Sequence, residues 1–190
     1  MLEQITYDGF SGGLCAIDSG EKCLPNQLQE ASNVIIKKNG IVETKDILSA
    51  IRKDTILISV MFANNEIGTI QPIEEIGKIA NEKKILFHTD AVQAYGNIMI
   101  DVKKLNVDLL TISAHKINGP KGVGALFIKK GTNIDPLIDG GGQEKFHRAG
   151  TENVAGIVGF RTAAELTIKN ISKKRKYLEE LRELTIEGII

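Results

Sequence analysis

The stretch Thr55-Ile-Leu-Ile-Ser-Val-Met-Phe62, followed by Pro72-Ile-Glu-Glu-Ile-Gly-Lys-Ile-Ala80 and Ile85-Leu-Phe-His-Thr-Asp90, decides the fold. The first run is almost continuously apolar, as a strand covered on both faces must be. Pro72 then opens a helix, since the N–H it lacks is one that a first helical turn leaves unbonded anyway. Ile73, Ile76, Ile79 and Ala80 recur at helical spacing and share one face. Residues 85–90 read as the next strand, Val107-Asp-Leu-Leu-Thr-Ile-Ser113 as another, and Gly124-Ala-Leu-Phe-Ile128 as one more. Strand, helix, strand predicts an α/β fold with a mostly parallel sheet flanked by helices. Such sheets bind ligands outside the carboxyl ends of their strands, and the polar clusters fall there: Asn65, Asp90, His115 and Lys116.

Working outward, the spacing predicts a short strand at Val34-Ile-Ile36, a turn at Asn39-Gly40, and a helix capped by Thr44 that runs through Ile47 and Ile51. Residues 1–33 are rich in turn formers and carry no sustained periodicity, so they read as a poorly specified leader. Beyond Gly140-Gly-Gly142 and Arg148-Ala-Gly-Thr151, helical text begins near Asn153, and residues 173–187 read as an amphipathic helix with a solvated face. Composition thus changes near residue 33, and four or five strands are counted in all.

Composition narrows the function classes. Across 190 residues, 24 Lys plus Arg balance 24 Asp plus Glu, so overall charge points to neither nucleic acid nor an anionic membrane. The basic run Lys173-Lys-Arg-Lys176 lies beside Glu179, Glu180 and Glu183 and does not change that reading. No apolar run approaches a membrane span, and Met1-Leu-Glu-Gln-Ile5 lacks the pattern of an export signal, so a cytoplasmic protein acting on a small molecule is expected. Cys15 and Cys23 read as reduced thiols, and no metal site is expected.

The strand-end residues carry recognisable chemistry. An amine such as Lys116, if it sheds its proton, condenses with an aldehyde into a Schiff base. A carboxylate such as Asp90 holds a pyridine nitrogen protonated. Ser113 and His115 offer a hydroxyl and an imidazole to an anion, most naturally a phosphate. Gln93 and Asn65 supply amide donors for a phenolic oxygen or a substrate carboxylate. Each residue taken alone has a plainer reading: a solvated lysine, a turn aspartate, amides that cap local backbone. Gly119-Pro-Lys-Gly-Val-Gly124 is a poor phosphate loop, because it precedes a strand where such a loop opens a helix.

Taken jointly, the motifs resemble the class V aminotransferase group of pyridoxal-phosphate enzymes, and within it the cysteine desulfurases. The matching text is Ala63-Asn-Asn-Glu-Ile-Gly-Thr-Ile-Gln-Pro72, His88-Thr-Asp-Ala-Val-Gln93, Ser113-Ala-His-Lys-Ile-Asn-Gly-Pro-Lys-Gly122, Gly140-Gly-Gly-Gln-Glu144 and Arg148-Ala-Gly-Thr-Glu152. The resemblance implies the fold-type I large domain over 34–165, truncated at both ends, with 166–190 leading toward a C-terminal small domain. It implies pyridoxal 5'-phosphate as cofactor and Lys116 as the Schiff-base lysine. Asp90 is then on the pyridine nitrogen, Gln93 on the ring oxygen, Ser113 and His115 on the phosphate, and Asn65 beside cofactor and substrate. It further implies a homodimer in which Thr151 reaches the phosphate held by a second copy. The implied reaction takes sulfur from L-cysteine, leaving L-alanine and an enzyme persulfide for an iron-sulfur scaffold protein or tRNA thiolation. The family's persulfide cysteine and substrate-gripping arginine are expected beyond Ile190, and its upstream phosphate-binding turn and ring-stacking histidine find no match. Cys15 lies on the wrong side of the cofactor segments to replace the nucleophile. A noncatalytic fragment or remnant is therefore the alternative reading.

Overall fold

Apolar runs become strands and periodic ones helices largely where the pattern places them. The computed structural model describes residues 14–18, 31–34 and 36–189. Six strands are described: β1 (Leu14–Asp18), β2 (Ala31–Val34), β3 (Thr55–Met61), β4 (Leu86–Asp90), β5 (Leu109–Ser113) and β6 (Gly124–Ile128). The helices are α1 (Thr44–Ala50), α2 (Ile73–Lys83) and α3 (Val154–Ile189), and a 3-10 turn at Ala114–Ile117 follows β5.

All six strands lie in one sheet, in the order β2-β1-β3-β4-β5-β6. The centre, β3-β4-β5, is parallel, with Ser59 opposite His88 and Asp90 opposite Thr111. β1 is antiparallel to β3 and to β2, and β6 is antiparallel to β5. β2 therefore points with the central three, so four of the six share one direction and the sheet is mixed but mostly parallel, as predicted.

Three expectations need correction. The region read as a poorly specified leader holds β1 and most of β2, and both belong to the sheet, so six strands are described where four or five were counted. The strand read at 34–36 instead ends at Val34. A strand of four residues, Ala-Ser-Asn-Val, has too few apolar positions to declare itself, and only its pairing with β1 fixes it. The N-cap of α1 is Glu43 rather than Thr44, which is the first helical residue. Of the two cysteines, Cys15 lies in β1, whereas Cys23 lies outside the described residues.

One face of the central strands is dry. Ile58, Val60, Phe87 and Leu110 are buried together with Ile73, Ile76 and Ala80 of α2, the face that the isoleucine spacing marks. Glu74 and Glu75 sit in the first turn of α2 and Lys83 in its last, the arrangement that the helix dipole favours. Alternation along a strand sends every second residue to the opposite face. Ser59 and Met61, His88 and Asp90, and Thr111 and Ser113 share that face, each half-buried. A second, smaller core joins Ala114 and Ile117 of the 3-10 turn to Phe160 and Ala163 of α3. The two helical stretches read near residues 153 and 173 are one continuous helix of 36 residues, whose last buried side chain is Ile171.

Candidate active site

The polar face of the sheet ends in a ledge formed by the carboxyl ends of β4 and β5. Asp90 is the last residue of β4, and Thr111, its neighbour across the ladder, stands two residues before Ser113. Asp90 is half-buried; its Oδ1 accepts the Val92 N–H at 2.9 Å, while Oδ2 takes no hydrogen bond from the described residues. Gln93 follows in a turn held by Ala94 N–H to Ala91 O at 3.0 Å and Tyr95 N–H to Ala91 O at 2.8 Å. Its carbonyl accepts from Asn97 Nδ2, and its half-buried side-chain amide has no partner among the described residues.

After β5 the chain tightens into the 3-10 turn that carries His115 and Lys116 outward, while Ala114 and Ile117 on either side of them are buried. Asn118 closes the turn at φ 64, a left-handed conformation that asparagine tolerates better than most residues, and donates its N–H to Ala114 O. Gly119 lets the following chain pass close by, since a Cβ there would stand 2.9 Å from Ala114 O and 3.2 Å from Ala163 Cβ. The turn bearing Lys116 is thus pinned from beneath by α3, and its polar members face solvent.

Ser113 Oγ and His115 Nδ1 are 2.7 Å apart. A neutral imidazole has one N–H and one acceptor nitrogen, so the pair always has a hydrogen left to donate outward. It comes from Nε2 when Ser113 donates to Nδ1, and from the hydroxyl when Nδ1 is the donor. Ser113, His115 and Lys116 are therefore brought together, with Asp90 and Gln93 beside them at the end of the adjacent strand. Asn65 is exposed in the loop after β3, where Asn64 Oδ1 accepts the N–H groups of Glu66 and Ile67 at 2.8 and 3.0 Å. Thr151 is exposed just ahead of α3 and meets none of the other candidates.

Sequence reasoning assigned His88 no role of its own. In the structure its ring bridges two strands, with Nδ1 2.7 Å from Ser59 Oγ and Nε2 2.5 Å from Thr111 Oγ1. Burial pushes its pKa below the ordinary imidazole value, and the nearby Asp90 charge opposes this more weakly. The signal was the alternation itself, which places His88 on the Asp90 face. Among the described residues no cluster of three His, Cys, Asp or Glu side chains is arranged to hold a metal ion, and no helix is long and apolar enough to cross a membrane.

Residues 26–189 match the family described as aminotransferase class-V. A cysteine desulfurase IscS of Methanosarcina thermophila is 57% identical over 167 residues, which are 88% of this chain and 41% of that protein. A solved NifS-like protein superposes with a TM-score of 0.77 at 46% identity, over 80% of this chain and 42% of its own. A solved structure of SspA in complex with cysteine gives a TM-score of 0.65 at 46% identity, over 67% of this chain and 37% of its own. The chain spans about two fifths of the length of the M. thermophila protein. With its motifs in the family's order and the match extending over most of its length, the chain belongs to the class V aminotransferases.

Proposed function

We propose that this chain carries the cofactor-holding part of a pyridoxal-phosphate-dependent cysteine desulfurase. The observation that carries the reading is the hydrogen-bonded Ser113–His115 pair set immediately before Lys116, with Asp90 facing the same side from the next strand. The donor set suits the group: Asp90 Oδ2 and the Gln93 amide are half-buried without partners among the described residues, an acceptor for a ring N–H and a donor for a ring oxygen. When bound, pyridoxal phosphate supplies an electron sink for the substrate's α-carbon.

The chain's own residues hold and steer. Asp90 keeps a proton on the ring nitrogen through its carboxylate charge. Ser113 and His115 donate to phosphate oxygens, and Thr151 of a second copy does so from outside. Lys116 would hold the cofactor's aldehyde carbon through its Nζ, and its free amine would move a proton to or from the substrate. Asn65, on the loop after β3, borders the substrate side. L-cysteine as substrate is supported by the likeness to SspA, whose solved structure is a complex with cysteine. A homodimer, a sulfur-acceptor scaffold protein and a cytoplasmic location complete the reading.

Both cysteines, Cys15 and Cys23, precede β3 in the sequence, and no thiol follows the Lys116 turn. A second reading, confined to these 190 residues acting alone, is that they hold cofactor without completing sulfur transfer. Mixing the purified chain with pyridoxal phosphate is expected to produce a new visible band that Lys116→Ala abolishes; indistinguishable spectra would refute the cofactor assignment. Sulfide release from L-cysteine separates the two readings. Little or none is expected from this chain alone, and brisk turnover would overturn that expectation.

A further inference from the structure

His88 lies beneath the proposed cofactor ledge rather than on it. Its ring joins the three parallel strands whose ends carry the site: Ser59 on β3, His88 itself on β4 and Thr111 on β5. The connection is diagonal. Ser59 stands opposite His88 in the ladder, but Thr111 stands opposite Asp90, one step nearer the ledge. The same imidazole therefore grips the side chain beside Asp90 and the strand that reaches Ser113 two residues later. With both ring nitrogens engaged, rotation of the ring would break two hydrogen bonds on a half-buried face, where a polar group without a partner is costly.

A ligand that carries a ring nitrogen and, on a short arm from the same flat ring, a phosphate spans a limited range of distances, so it binds best where its two anchors are already held in relation to each other. Backbone pairing sets the register of β4 and β5 but not the side chains above it. The Ser59–His88–Thr111 chain is the described contact that ties those side chains across the sheet. We propose that His88 is a positioning residue that couples the ring-nitrogen anchor, Asp90, to the phosphate anchor formed by Ser113 and His115. This rests on the cofactor reading above. His88 touches no reacting atom and acts through Thr111.

The experiment compares two ligands that differ only at one anchor: pyridoxal 5'-phosphate and pyridoxal, titrated against wild type, Thr111→Val, His88→Phe and Ser59→Ala. Coupling between anchors makes the phosphate's benefit depend on the clamp. Wild type is expected to prefer the phosphorylated form strongly, and that preference is expected to shrink about tenfold in Thr111→Val and His88→Phe. Ser59→Ala, which leaves the Thr111 link in place, is expected to shrink it less. Nitrogen NMR of the histidine rings in the unliganded chain gives a readout independent of cofactor, with the His88 ring expected in one fixed tautomer because both of its nitrogens are hydrogen-bonded. Binding with an unchanged preference in both Thr111→Val and His88→Phe, or a His88 ring that exchanges tautomers freely, would overturn the positioning role alone. Failure of wild type to bind either ligand would overturn the cofactor reading, and with it this inference.

Discussion

Replacing Gly77 by alanine sets a favourable local term against an unfavourable packing term, and the structure decides which prevails. Gly77 lies inside α2, where alanine is a better helix former than glycine by about 0.8–1.0 kcal/mol. Helix propensity alone therefore makes the substitution stabilising. A Cβ at this position would stand 2.0 Å from the carbonyl oxygen of Leu105 and 3.3 Å from Phe87 Cδ1. Ordinary contact needs more than about 3 Å, so either the helix or the Leu105 backbone must retreat by about 1 Å. Leu105 cannot move freely. Its N–H bonds to Asp101 O at 3.0 Å, Val107 N–H bonds to Val102 O at 3.1 Å, and Asp108 Oδ2 accepts the Phe87 N–H at 3.0 Å. Overpacking against well-packed surroundings costs about 1–3 kcal/mol, and a backbone obstacle puts this site at the upper end. Subtracting the helix gain leaves a net loss of about 2 kcal/mol, equivalent to a melting temperature lower by roughly 4–8 °C. Urea and thermal unfolding of the purified variant measure it. An alanine variant as stable as the parent, or more so, would refute the claim that the close approach of α2 to the Leu105 turn is obligatory.

Other expectations follow from single observations. Thr89 is 0% exposed and its hydroxyl has no hydrogen-bond partner among the described residues, so Thr89→Val is expected to raise stability by about 1 kcal/mol in chemical denaturation. Phe160 is 8% exposed in the small core under the 3-10 turn, and Phe160→Ala is expected to cost about 3 kcal/mol. Hydride trapping of pyridoxal phosphate on Lys116 should fall in that variant while amide protection of β3–β5 persists; equal loss of both would refute a local role for Phe160. His88, whose pKa is lowered on folding, contributes stability that is complete above the ordinary imidazole value. That contribution is lost as pH falls from there through the lowered folded value, because the unfolded chain binds the proton first. Denaturation midpoints at about pH 7.5 and about pH 5.5 are expected to converge in His88→Gln.

How much could be read from sequence depends on whether the deciding force is local. β3 declares itself because seven consecutive residues must suit two dry faces, and α2 because its isoleucines recur every turn. β1 and β2 escape because their existence depends on pairing with each other and with β3, a non-local condition that a short window does not contain. Ser113, His115 and Lys116 are legible because they are contiguous, and their relation to Asp90 follows from both strands pointing the same way. The Ser59–His88–Thr111 chain is not legible in the same way. Alternation places all three on one face, but only the register, with Thr111 opposite Asp90 rather than His88, decides that one ring reaches both hydroxyls. The continuity of α3 was hidden by its composition, since glycines at 156 and 159 and a charged tract from 173 looked like separate texts.

The turn that presents Lys116 is finished by a helix that comes much later in the chain. Ile117 and Phe160, which belong to the same small core, are separated by about 43 residues. At a synthesis rate of roughly 5–20 residues per second, about 2–9 s pass between the lysine leaving the ribosome's decoding site and the first anchoring residue of α3 doing so. The β3-β4-β5 ladder and its α2 cover need nothing from that interval, because every residue they use has already been made. The nascent protein therefore passes through a stage in which the sheet has a core but Lys116 sits on an unsecured turn. Order of synthesis thus separates the building of the scaffold from the arming of the site.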